Sequence, residues 1–170
     1  MVIARDGVMG TSHRKVAAEA RVPLGSMTYY FNGMRDLLHC AFEDFAARTG
    51  ARLEKSLARV TGTEEVTNEI VNVIMNAIGN TQDELVLTQE LYTLAARDPN
   101  FRDITDDWMA RSRTALERHF DSALARDVDA LIEGLSIHGA LAKKRPDRSS
   151  VKASLYRLVG YPSQSPSTST

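Results

Sequence analysis

Thr11 to Phe31 reads TSHRKVAAEARVPLGSMTYYF, and the fold is decided here. The stretch predicts two short helices joined by a tight corner. Thr11 or Ser12 can cap the first helix, because a side-chain hydroxyl accepts a bond from an orphan backbone N–H. Val16, Ala17 and Ala20 recur at helical spacing, and their small side chains allow a close crossing. The pattern breaks at Arg21-Val22-Pro23, where Pro23 suits a first helical turn. Met27 and Phe31, four apart, give the second helix its buried face. Gly25, Ser26, Thr28, Tyr29 and Tyr30 are left on the open side, and adjacent Tyr29 and Tyr30 cannot both point inward. Small residues, hydroxyls and phenols there suit phosphates and base edges.

The rest of the chain predicts only helices. It has 170 residues and 43% hydrophobic content, enough for one sizeable core or a core with a small attached module. Met1 to Asp6 reads as a helix end closed by Gly7. A long helix runs from Met34 to Val60, striped by Leu38, Phe42, Phe45, Leu53 and Leu57. Val66 to Ile78 is apolar on nearly every face and predicts a central buried helix, ended by Gly79-Asn80. Gln82 to Arg97 follows and stops before Pro99. Phe101 to Ala125 predicts one long helix, and Asp127 a cap for the next, to Ala142. A polar loop, Lys143 to Asp147, precedes a last helix from Arg148 to Val159. The tail from Gly160 is polar and predicts disorder. The resulting division is a two-helix module over 1–33, a linking helix over 34–60, a larger helical domain over 61–159 and a tail over 160–170.

Charge is uneven although the net is −1. Residues 1–60 hold nine Lys/Arg against six Asp/Glu, residues 61–130 six against fourteen, and residues 131–170 six against two. A basic N-terminal module on an acidic middle would orient toward a polyanion; ordinary solvated helix faces would give the same counts. The single cysteine, Cys40, excludes an internal disulfide framework and reads as a small buried hydrophobe. Arg5 and Asp6 interrupt any N-terminal apolar run, and Val71 to Ile78 is too short to span a bilayer. These features predict a cytoplasmic protein without a membrane segment. The four histidines lack metal-ligand spacing. No Ser-His-Asp order, phosphate-cradling glycine loop or paired-carboxylate signature points to an enzyme, and no cofactor is implied.

Gly7, Thr11, Ser12, Val16, Ala17, Ala20, Val22, Gly25, Ser26, Met27, Tyr29, Tyr30, Phe31, Leu37 and Leu38 together resemble the helix-turn-helix of the TetR family of bacterial transcriptional regulators. The likeness covers roughly the first quarter of the chain. Arg21 departs from the family's usual turn glycine, Pro23 from its serine, Leu24 from a common Lys or Arg, and Met34 from a phosphate-touching Lys, for which Arg35 could substitute. The family's first helix also starts roughly two turns earlier.

The resemblance implies an all-α regulator binding double-stranded operator DNA as a homodimer, with an unidentified small-molecule effector. It implies DNA contacts from Thr11, Ser12, Arg14, Gly25, Ser26, Thr28, Tyr29, Tyr30 and Arg35. It implies dimerisation through the last two helices, where Gly134 and Gly139 suit close packing. Met75, Tyr92, Trp108, Met109 and His138 are candidates to line an apolar effector cavity; each alone reads equally well as core. A helical sensor or interaction protein without DNA activity is the alternative reading.

Overall fold

The computed structural model describes residues 1–79 and 82–160. All regular structure in the described residues is helical: α1 Val2–Gly10, α2 His13–Ala20, α3 Leu24–Tyr30, α4 Met34–Leu57, α5 Thr63–Gly79, α6 Gln82–Arg97, a single 3-10 turn Pro99–Phe101, α7 Arg102–Leu116, α8 Ser122–Leu141 and α9 Arg148–Leu158. The chain forms two compact units that interleave in sequence. The first comprises Met1–Ala51 and Asn80–Met109, the second Arg52–Gly79 and Ala110–Thr170.

In the first unit, α1 packs on α6 and α2 on α3. Gly7 interrupts α1 at φ +69, the left-handed region that glycine enters without a Cβ clash. The first helical segment thus ends at Gly7, as the sequence suggests, and a second short segment follows to Gly10. Ile3, Leu38, Phe42, Phe45, Leu87, Leu91 and Phe101 form one core. A second, small core of Ala17, Met27 and Leu37 ties the helix pair to the start of α4. Ala20, expected at the crossing, is exposed, and the approach is made by buried Ala17 with Val16 packed beside it. Cys40 is also exposed rather than buried. Its thiol is nevertheless raised, by local desolvation first and by Asp36 and Glu43 next.

In the second unit, α5 packs against α8 and α9. Val66, Ile70, Val71, Ile74 and Ile78 are buried there with Leu53, Leu57, Leu116, Val128, Val151 and Leu155. Each such side chain stabilises the fold by roughly 1.5–3 kcal/mol relative to exposure. The expected helix over Phe101 to Ala125 is in fact broken. α7 ends at Leu116, and Asp121, not Asp127, caps α8 by accepting a bond from the Leu124 N–H at 2.9 Å. The break lets His119 Nε2 reach the Leu57 carbonyl at 3.2 Å, at the point where α4 stops, three residues short of Val60. Asp147 caps α9 through the Ser150 N–H at 2.8 Å. Asn80, expected to help end α5, and the expected tail beyond Gly160 lie outside the described residues.

Candidate nucleic-acid interface

The helix pair is built locally. Ser12 caps α2 by accepting from the Lys15 N–H at 3.3 Å. Thr11 donates its hydroxyl to the Gly7 carbonyl at 2.7 Å, fixing the approach from α1. α2 ends at Arg21, which adopts φ +56, ψ +41. Its N–H donates to the Ala18 carbonyl at 3.2 Å and that of Val22 to Ala17 at 3.0 Å, which satisfies carbonyls that a helix end leaves orphaned. Pro23, expected inside the first turn, is instead the N-cap of α3, and the Ser26 N–H donates to its carbonyl at 3.0 Å.

Met27 turns inward, and the opposite face of α3 is open. Tyr29 and Tyr30 are both exposed, at 82% and 72%, with rings edge to face at 5.0 Å. Val22 and Leu24 are also exposed. Nothing approaches the position a Cβ would take on Gly25. The Thr28 hydroxyl donates to the Gly25 carbonyl at 3.0 Å, and the residue is exposed. Ser26 is half-buried.

The cations divide into held and free. Lys15 Nζ is bound to Asp6 and to the Gly10 carbonyl, both at 2.8 Å. Arg5 grips Asp6 and reaches Glu19; Arg5 first, then Lys15, holds the Asp6 carboxyl down to about 2. Arg35, expected on phosphate, binds both carboxylate oxygens of Asp98 through Nη2. Asn100 first, then Arg35, lowers the Asp98 carboxyl. Arg14 and Arg21 are exposed, and among the described residues their guanidinium groups have no partner.

The effector candidates are dispersed. Tyr92 on α6 and Trp108 on α7 lie in the first unit with ring planes 3° apart and centroids at 6.3 Å. Phe45 meets Trp108 edge to face at 5.8 Å. Met109 follows Trp108, half-buried. Met75 belongs to the second unit, half-buried against its core. His138, also in the second unit, is exposed rather than a core histidine. Sequence reasoning missed Phe45 as a partner of Trp108 and Asp98 as a partner of Arg35. Nothing local links residues so far apart in sequence.

Residues 61–160 match the tetracyclin repressor-like C-terminal domain. The regulator SCO7518 of Streptomyces coelicolor A3(2) is 43% identical, with 92% of this chain and 91% of that chain covered and a TM-score of 0.86. SCO1917 of Streptomyces coelicolor A3, a member of the TetR family, is 30% identical over 92% and 91%, with a TM-score of 0.81. The multidrug binding protein EbrR, in its imidazole complex, is 30% identical over 96% and 91%, with a TM-score of 0.78. EbrR structures with ethidium, proflavin and malachite green also match. No curated protein sequence matches. The fold and these matches define an all-α transcriptional regulator. The chain belongs to the TetR family.

Proposed function

We propose that the protein is a cytoplasmic transcriptional repressor that binds double-stranded operator DNA as a homodimer and leaves it when a small-molecule effector binds. The observation that carries this reading is the open face of α2 and α3: Arg14, without a partner among the described residues, and exposed Leu24, Thr28, Tyr29 and Tyr30, on a helix pair whose inner residues Ala17 and Met27 pack on Leu37. Tyr29 and Tyr30 contact phosphates, and the Thr28 methyl meets a base edge in the major groove. Ser12 and Thr11 set the geometry of α2, and Gly25 lets the backbone come close to the duplex.

The effector contacts Tyr92, Trp108 and Met109. The parallel Tyr92–Trp108 pair suits a flat aromatic cation, since such rings attract cations across their faces. Ethidium and proflavin, bound by EbrR, have that chemistry. Two copies associate through α8 and α9, where Gly134 has open space over its Cα.

The alternative, a helical sensor without DNA activity, draws on one observation: Arg35 is held by Asp98, and Met34 packs against the core. A salt-dependent mobility-shift assay separates the two, using the DNA flanking the protein's own gene. A shift that weakens steeply with salt and is reversed by malachite green, together with quenching of Trp108, supports the repressor. Quenching without any shift at low salt favours the sensor.

A further inference from the structure

Among the described residues, Arg21 is the one non-glycine residue with positive φ. The left-handed region is unfavourable for a residue with a Cβ. The local fold demands that region here, because the bonds from Arg21 and Val22 back to Ala18 and Ala17 close α2 only if the chain turns left-handed. A glycine would meet the demand without strain. The sequence has arginine, and among the described residues nothing compensates: the guanidinium is exposed and has no hydrogen bond or ion pair with them. The strain is kept for a contact outside the chain.

The neighbouring charges point to what that contact is. Residues 1–33 contain four basic side chains, Arg5, Arg14, Lys15 and Arg21. Asp6 and Glu19 occupy Arg5 and Lys15. Arg35, the next in the chain, is occupied by Asp98. Among the described residues, Arg14, at the beginning of α2, and Arg21, at its end, are the two of these left without a partner. They flank the helix that leads into the open face of α3. Arginine is suited to this position because its planar fork binds a phosphate bidentately and stays charged at any working pH.

We propose that Arg21 is a DNA phosphate anchor in the helix-turn-helix corner, replacing the cations that Asp6 and Asp98 withdraw. The inference rests on the DNA-binding reading above and adds a contact to it. Phosphate contacts fix the register of a reader on the duplex without reading sequence, so Arg21 sets how α3 sits in the groove.

The test compares the full-length protein with Arg21→Gly and Arg21→Lys. Binding to a labelled random-sequence duplex is followed between about 50 and 200 mM salt, beside thermal melting. Arg21→Gly relieves the strain, so it should melt roughly 2–4 °C higher. It should bind DNA several-fold more weakly, with the logarithmic salt slope shallower by about 1 for each reading head. Arg21→Lys should keep the slope. If the parent binds DNA and Arg21→Gly binds with the same affinity and slope, the anchor is refuted and the DNA-binding reading stands. Loss of affinity together with a lower melting temperature would also refute it, placing the effect in a damaged corner. No salt-dependent binding by the parent would overturn both.

Discussion

Gly139 lacks a side chain because α5 occupies the place where one would go. A Cβ there would stand 2.6 Å from Ile78 Cδ1 and 2.7 Å from Cγ1, and Ile78 is itself buried. Gly139→Ala should therefore destabilise the protein by about 1–3 kcal/mol, the range for overpacking a filled core, read as a lower denaturation midpoint. That places Gly139 within one subunit, and not at the dimer surface its sequence neighbourhood suggests. Gly50 gives the opposite result. It lies inside α4, and a Cβ there would meet Trp108 Cδ1 at an ordinary 3.8 Å. Gly50→Ala should stabilise by about 0.5–1 kcal/mol, the gain expected on replacing a helix-interior glycine; a midpoint at or below the parent's would show that the space is not free. Asp129 supplies a pH dependence. Burial, opposed by Arg113 at 3.3 Å, pushes its carboxyl up to about 6. Folding thus favours the protonated form. Stability contributed at Asp129 is full below the ordinary carboxylate range, falls as pH rises through about 6, and is flat above. Asp129→Asn should remove that fall, so its melting temperature should gain on the parent's between pH 4 and pH 7, roughly the window that this shift spans.

At the scale of elements, the helix pair was legible because each of its features is local. Ser12, Pro23, the buried Met27 and the exposed tyrosines act through neighbours within a few residues. The break between α7 and α8 was hidden for a corresponding reason. Leu116, Phe120 and Leu124 continue in helical phase, with no glycine or proline to interrupt them. The helix stops because Asp121 caps the next one and His119 reaches the Leu57 carbonyl, and that carbonyl is distant in sequence. The fate of Arg35 was hidden in the same way, since the turn holding Asp98 is brought to it only by folding. The corner itself was half legible: Arg21 stood out as a departure, but its left-handed backbone and free guanidinium needed the coordinates.

Across the whole molecule, the sequence order of 1–33, 34–60 and 61–159 differs from the way the chain gathers. α6 and most of α7 join the helix pair in one unit, while the end of α4 belongs to the other. α4 thus contributes residues to both units. A dimer through α8 and α9 would pair two such readers about a two-fold axis. Leu141→Glu, at the exposed end of α8, should shift the protein to monomer in sedimentation without changing its helical content. The measurement that tests the central claim most directly is hydroxyl-radical footprinting of the wild-type protein on the DNA flanking its own gene. The account predicts two protected patches related by a dyad and centred about 34–36 Å apart, or a multiple of that, one helical turn per step. Uniform cleavage at all protein concentrations, or a single patch without a symmetry mate, would contradict it.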